Sequence, residues 1–333
     1  MSSELKYAVF GSGSWATAIV KMLCENLETV GWYVRKQQTV DYILSEQHNP
    51  AYLSSVEFHN DQLTIESDIN KIADYADILI FAIPSAFIES ELLKLNVEIS
   101  SKIIVSAVKG IIPESGLLVG EHFHQKHGIK LDNIAVLAGP CHAEEVALER
   151  LSYLTIACVN LNTAEEVAAQ FSSDYIRTKT SNDVIGAEYA AILKNIYAIA
   201  AGIAHGLGYG DNFQSVLMSN AIREMKRFIK RVHKAKRNIN QTVYLGDLLV
   251  TGYSVFSRNR MFGNMIGKGY TVKSAQMEMS MIAEGFYASK SAFLINQASS
   301  HPSKTPIINM VYDILYLNKD PKKAFKKLTE NLS

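Results

Sequence analysis

Hydrophobic and polar positions along the 333-residue chain follow two successive patterns. In the first half, short apolar runs rich in β-branched residues recur: YAVF at 7–10, ETVGWYV at 28–34, DILIFAI at 77–83, KIIVSAV at 102–108, NIAVLAG at 133–139 and YLTIACV at 153–159. Helical stretches separate most of them, at 14–26, 39–47 and 69–76, the last with Ser67 or Asp68 as its cap. Strands alternating with helices predict an α/β fold with a mainly parallel sheet covered on both faces. From about residue 184 the strand-like runs stop. Helical periodicity then covers 186–205, 212–237, 273–297 and 305–316, and 321–332 reads as a proline-initiated helix. The change of pattern divides the chain into an N-terminal domain at 1–183 and an all-helical C-terminal domain at 184–333, with the boundary in the polar stretch Lys179–Asp183.

The first strand runs straight into YAVFGSGSWA. Gly11 permits a tight turn, Gly13 lets a pyrophosphate approach the backbone through the Gly11–Trp15 loop, and Ala16 lets helix and strand pack closely. Strand, glycine turn, helix and second strand come in the order that a Rossmann dinucleotide site requires. The second strand ends without the acidic residue that would bond the ribose hydroxyls of NAD; Arg35 and Lys36 follow Val34 instead. Two cations there suit the 2′-phosphate of NADP, so NADPH is favoured as cofactor while NADH stays open, and a solvated basic turn is the plainer alternative.

Ligands in open α/β sheets bind outside the carboxyl ends of the strands. Pro84-Ser85, Lys109-Gly110 and Gly139-Pro140-Cys141 follow three of the predicted strands, as the Gly11–Trp15 loop follows the first. Lys109 can be an ordinary surface lysine, or it can polarise a carbonyl or hold a phosphate. Cys141 beside His142 makes a poor nucleophile–base pair, because such pairs meet in space rather than in sequence. His122, His124 and His127 match no metal-binding spacing, and no metal is expected. In the helical half, Lys194 stands on a face of alanines, where it either snorkels to water or is desolvated and becomes a usable acid–base group; its neighbour Asn195 can orient a hydroxyl. The stretch 246–263 places Asp247, Thr251, Ser257, Arg258 and Asn259 in an apolar frame. Ser257-Arg258-Asn259 can cradle a phosphate or simply form a loop with an N-cap.

Composition narrows these readings. Lys and Arg number 33 and Asp and Glu 33, so no whole-chain attraction draws the protein to nucleic acid or to an anionic membrane. Eight Lys or Arg do cluster between Arg223 and Arg237, with Ile222, Met225, Ile229 and Val232 on the opposite side, the pattern of a solvated amphipathic face. Residues 186–207 are long enough to span a bilayer but carry Glu188, Lys194 and Asn195, so a buried helix is expected and membrane insertion is not. Three scattered cysteines, Cys24, Cys141 and Cys158, point to reduced thiols and a cytoplasmic protein.

Taken together, GSGSWATA at 11–18, HNPAYL at 48–53, IPS at 83–85, KG at 109–110, GPCHAEEVA at 139–147, LKNIYAIAAGIAHGLGYGDN at 193–212, LGDLLVT at 245–251, SRNRMFG at 257–263 and AEG at 283–285 resemble the bacterial-type glycerol-3-phosphate dehydrogenase family. The resemblance implies a Rossmann domain followed by an all-helical domain, usually paired into a homodimer. It implies NAD(P)H-dependent reduction of dihydroxyacetone phosphate, a small phosphate substrate, to sn-glycerol 3-phosphate for phospholipid synthesis. By the same resemblance Lys194 exchanges a proton with the C2 oxygen, Lys109 sits against substrate and cofactor, and Asp247 lies near the catalytic lysine. Asn195 and Thr251 surround the substrate with Gly139 and Cys141, and Ser257, Arg258 and Asn259 grip its phosphate. Ser12, Ser14, Trp15, Arg35, Lys36, Pro84, Ala143, Arg258 and Glu284 join Gly11, Gly13 and Lys109 at the cofactor. The family usually has Ser or Thr where this chain has Cys141, and Phe where it has His142.

Overall fold

A computed structural model describes residues 5–279 and 283–332. Packing divides the chain into two compact units, Met1–Val108 with Leu117–Val184, and Lys109–Gly116 with Ile185–Ser333. The division falls one residue later than a single cut at 183/184 and adds a second piece. Eight residues after the fifth strand, beginning at Lys109, pack with the helical unit, and an apolar pattern cannot show such an excursion.

The first unit holds strands β1 (Tyr7–Phe10), β2 (Val30–Tyr33), β3 (Leu63–Glu66), β4 (Ile78–Phe81), β5 (Ile103–Ser106), β6 (Ile134–Ala138), β7 (Ser152–Cys158) and β8 (Ile176–Ser181). They form one sheet in the order β3-β2-β1-β4-β5-β6-β7-β8. All neighbours are parallel except β6 and β7. Helices α1 (Ser14–Cys24), α2 (Gln37–Glu46), α3 (Ile69–Tyr75), α4 (Ser85–Leu92), α5 (Val119–His127), α6 (Ala143–Ala147) and α7 (Leu161–Phe171) connect them. The order reverses between β1 and β4, and that switch point is where a doubly wound sheet opens its ligand crevice. β1, β2 and β4 are buried at every position, as strands covered on two faces must be. Asp68 caps α3 by accepting the Asn70 N–H at 2.9 Å.

Two strands escape the apolar pattern. β3 is LTIE and β8 is IRTKTS, and they form the two edges of the sheet. Edge strands carry charge that discourages further pairing, which erases the hydrophobic run that announces a central strand. The polar stretch from Lys179 therefore begins inside β8 rather than in a linker, and strand structure lasts to Ser181.

The second unit is built on α8 (Val184–Gly206), around which pack α9 (Asp211–Val232), α10 (Asp247–Tyr253), α11 (Arg258–Gly267), α12 (Val272–Glu278), α13 (Glu284–Ala298), α14 (Pro306–Leu317) and α15 (Pro321–Thr329). Every residue of α8 from Gly186 to Ala204 is buried. By length and composition α8 could cross a membrane, but 83% of its apolar window is enclosed by the rest of the protein, as in a core helix. Glycines on both helices explain how α11 comes so near. A Cβ on Gly202 would stand 2.0 Å from the Arg260 carbonyl oxygen, and one on Gly263 would stand 2.1 Å from that of Ile199. Only backbones without side chains can approach this closely.

Two helical expectations change, and one stretch not read as helical holds helices. The stretch 212–237 ends at Val232, where His233 turns extended. The stretch 273–297 is two helices, α12 and α13, with Met279 and Ala283 both extended; no Gly or Pro marks the break in sequence. The stretch 246–263 holds α10 and the start of α11. On α9 the apolar face, with Leu217, Met225, Phe228 and Ile229, is buried, while Lys226, Arg227, Lys230 and Arg231 are exposed.

Candidate active site

In the first unit the glycine turn is held from several sides. Gly11 has φ +128°, and a Cβ there would meet the Ala82 carbonyl oxygen at 2.8 Å, so the position admits glycine alone. Its N–H donates to Tyr33 O at 3.1 Å, and its carbonyl accepts the Trp32 indole N–H at 2.7 Å. Asn49 braces the far side of the loop, donating to Ser12 O at 3.1 Å and to Thr17 Oγ1 at 2.9 Å. Sequence reasoning gave Asn49 no role; the Asn49-Pro50 turn signal was the available hint.

Around Gly13 the picture reverses. A Cβ there would meet nothing within 4 Å. No side chain caps α1, and its first turn carries no acid. An uncapped helix N-terminus with open space over the glycine fits a pyrophosphate. Pro84 precedes α4, and Gly139 and Ala143 flank the turn after β6. Because β1, β4, β5 and β6 are parallel, these positions and Gly11 share the carboxyl edge of the sheet. Gly139, at φ +124°, would press a Cβ against Tyr153 O at 2.7 Å. Cys141 is buried, and His142 takes the N-cap position of α6. Arg35 and Lys36 follow β2 as expected, both exposed.

In the second unit the chemistry lies in buried side chains. Lys194 on α8 and Asp247 at the start of α10 form an ion pair through Nζ and Oδ1, with side chains only 5% and 2% exposed. Lys194 thus does not snorkel to water. Thr251 Oγ1 donates to the Asp247 carbonyl at 2.6 Å. Asp247 Oδ2 is buried and has no partner among the described residues. A one-turn π-helical stretch, Thr242–Gly246, leads into Asp247; such bulges recur at functional sites. Asn195 Nδ2 reaches the Lys109 carbonyl at 3.4 Å. The side chain of Asn259 accepts the Gly285 N–H at 2.9 Å through Oδ1. Gly285 is obligatory, since its Cβ would lie 2.6 Å from Asn195 O. Ser257 serves as the N-cap of α11, accepting the Arg260 N–H at 3.3 Å.

Glu284, the first residue of α13, completes the cluster. Burial pushes its carboxyl above the usual range, and the charges of Lys109, Arg258 and Lys194 pull it back. Three cations and two carboxylates thus occupy one region of the helical unit. Among the described residues no group of three or more His, Cys, Asp or Glu is arranged to hold a metal.

Two family models cover almost the whole length. The N-terminus of NAD-dependent glycerol-3-phosphate dehydrogenase matches residues 6–164, and its C-terminus matches residues 183–326. The chain belongs to the NAD-dependent glycerol-3-phosphate dehydrogenase family. A glycerol-3-phosphate dehydrogenase (NAD(P)+) of Exiguobacterium sp. is 36% identical over 323 residues, 96% of this chain and 94% of that one. One from Oceanobacillus iheyensis is 35% identical, covering 97% and 93%. The crystal structure of glycerol-3-phosphate dehydrogenase from Coxiella burnetii superposes with a TM-score of 0.89 at 26% identity, covering 98% of this chain and 99% of that one. Lys194, buried and paired, departs from an ordinary helix-surface lysine.

Proposed function

We propose that the Lys194–Asp247 cluster is the catalytic centre at which dihydroxyacetone phosphate and sn-glycerol 3-phosphate interconvert, with NADPH or NADH bound at the glycine turn. The observation that carries this reading is the buried Lys194–Asp247 pair beside an unpartnered carboxylate oxygen. Reduction of a ketone adds hydride to C2 and a proton to its oxygen. The nicotinamide supplies the hydride when bound. Lys194 donates the proton from its ammonium group and is left as a neutral amine beside Asp247, to be reprotonated from water. Asp247 keeps that ammonium oriented, and its free Oδ2 accepts a substrate hydroxyl.

The remaining residues bind and orient. Lys109 stabilises charge developing on the C2 oxygen. Arg258 at the N-terminus of α11 holds the substrate phosphate, where guanidinium and helix dipole act together. Asn259 commits Oδ1 to Gly285, which leaves its amide N–H₂ as the donor end for the phosphate. Ser257 keeps a hydroxyl hydrogen to donate while its oxygen caps the helix. Asn195 and Thr251 frame the substrate with Gly139 and Cys141. Gly11, Ser12, Gly13, Ser14, Trp15, Pro84, Ala143 and Glu284 contact the cofactor, and Arg35 and Lys36 receive a 2′-phosphate. We place the protein in the cytoplasm as a homodimer, a reading that rests on the family and on three cysteines, odd in number and scattered along the chain.

The test follows absorbance at 340 nm with dihydroxyacetone phosphate and either cofactor. Wild-type protein oxidises the cofactor only when the phosphate substrate is present. Lys194→Ala lowers kcat by about 10²–10⁴-fold, the range for a positioned acid, with the cofactor dissociation constant unchanged. No turnover by wild-type protein that binds NADPH would refute the reading.

A further inference from the structure

Glu91, on α4, lies in the first unit near the end of β2. Its side chain is only 4% exposed, yet three groups converge on it. The Tyr33 hydroxyl donates to Oε2 at 2.7 Å, Lys94 Nζ donates to Oε1 at 2.8 Å, and Arg35 Nη1 stands 3.7 Å from Oε1. Burial pushes the carboxyl up, but hydrogen bonds from Lys94 and Tyr33 and the charges of Lys94 and Arg35 outweigh it and hold Glu91 ionised below the usual carboxylate range. Arg35 has a side chain 58% exposed, so its guanidinium is turned toward Glu91 while much of it still faces water.

A carboxylate so placed can either fix an arginine or weaken its pull on another anion. The distance decides between them. A charge-assisted hydrogen bond runs to about 2.7–2.9 Å, whereas Arg35 stands 3.7 Å away and half in solvent. The hold is loose, but the negative charge remains. A phosphate that draws Arg35 away must replace that contact and lie near a fixed carboxylate. A ribose hydroxyl carries no charge and meets no such competition.

We propose that Glu91 determines how far this chain prefers NADPH over NADH, by competing with the 2′-phosphate for Arg35. The proposal rests on Arg35 as the residue that meets the 2′-phosphate. Glu91 acts through Arg35 and touches no reacting atom.

Calorimetry gives the dissociation constants of NADPH and NADH for the wild type, Glu91→Gln, Arg35→Gln and the double variant. Glutamine keeps the shape of the side chain; its carbonyl can accept from Lys94 while its amide N–H₂ donates to the Tyr33 hydroxyl, so the substitution removes mainly charge. Glu91→Gln is expected to tighten NADPH by about fivefold, the upper end for a half-exposed ion pair, while NADH moves less than about twofold. The gain shrinks at about 0.5 M salt, where such fields are screened, and vanishes in the Arg35→Gln background. Equal weakening of both cofactors, with a lower thermal midpoint, would show a purely structural role and overturn the proposal. Weaker NADPH binding alone would show that Glu91 orients Arg35, which also overturns it. An unchanged NADPH-to-NADH ratio in Arg35→Gln would remove the underlying reading of Arg35, whatever Glu91→Gln does.

Discussion

In the sheet-bearing unit, β1, β2 and β4 enclose only apolar or uncharged side chains, and the groups offered to a ligand are mostly backbone: a glycine turn and an uncapped helix end. In the helical unit, α8 buries Glu188, Lys194 and Asn195 among alanines and isoleucines, and α10 buries Asp247 opposite them. The first unit thus offers peptide dipoles, which carry no charge of their own to desolvate. The second keeps ionisable side chains out of water, and burying charge is costly unless it is paired, as Lys194 and Asp247 are. Binding asks only for a fixed cradle, whereas proton transfer asks for a group whose proton affinity its surroundings can set. The two kinds of glycine follow the same division. Gly13 leaves a space open for a ligand, while Gly202 and Gly263 let two helices close.

Substitutions that treat the units alike should produce unlike results. The largest effect is expected at Gly202, where a methyl group would overlap the Arg260 carbonyl. Gly202→Ala should destabilise the helical unit by about 3 kcal/mol, the upper end for overpacking, read as a lower denaturation midpoint. A wild-type midpoint would show that α8 and α11 are not in such close contact.

Next comes Glu224, fully buried on α9, which accepts the N–H groups of Ile307 and Ile308, both at 2.9 Å, at the start of α14. Burial raises its carboxyl to about 7, against the two hydrogen bonds and Arg227. An acid whose folded value lies above its unfolded value contributes stability at low pH and loses it as pH rises from the unfolded value to the folded one. Between about pH 4.5 and 7 this group should cost roughly 2–3 kcal/mol. Glu224→Gln should flatten that slope in urea melts across the same window; an unaltered slope would place the titration elsewhere.

The smallest effect on folding belongs to Gly13→Ala. With nothing within 4 Å of the new methyl group, the denaturation midpoint should stay within about 0.5 kcal/mol of wild type. Cofactor affinity should fall, because the methyl group stands where the pyrophosphate approaches. Unchanged affinity would move the pyrophosphate away from Gly13.

Much of the first unit was legible in the chain. YAVFGSGSWA specified strand, turn and helix together, since each glycine has a local reason and the apolar runs on either side have strand length. The two edge strands were not, because edges trade hydrophobic pattern for charge. In the helical unit the pattern located α8 and Lys194 but left open whether the lysine faced water. The spacing to Asp247, 53 residues on, carries no signal of contact. The contacts of Asn49 with Thr17 and of Glu91 with Tyr33 and Arg35 left no trace in the chain for the same reason: those partners lie far off in sequence.

By itself the sequence determined the fold class, the nucleotide turn and the family, because periodicity, glycine chemistry and motif order are local properties of a chain. Tertiary structure alone decided that Lys194 is buried and paired, that 109–116 pack with the helices, that Ser257 caps α11, and that Arg35 has a carboxylate beside it. Proton affinity and ion pairing depend on distance and solvent exclusion, and both are set by the neighbours that folding brings to a residue.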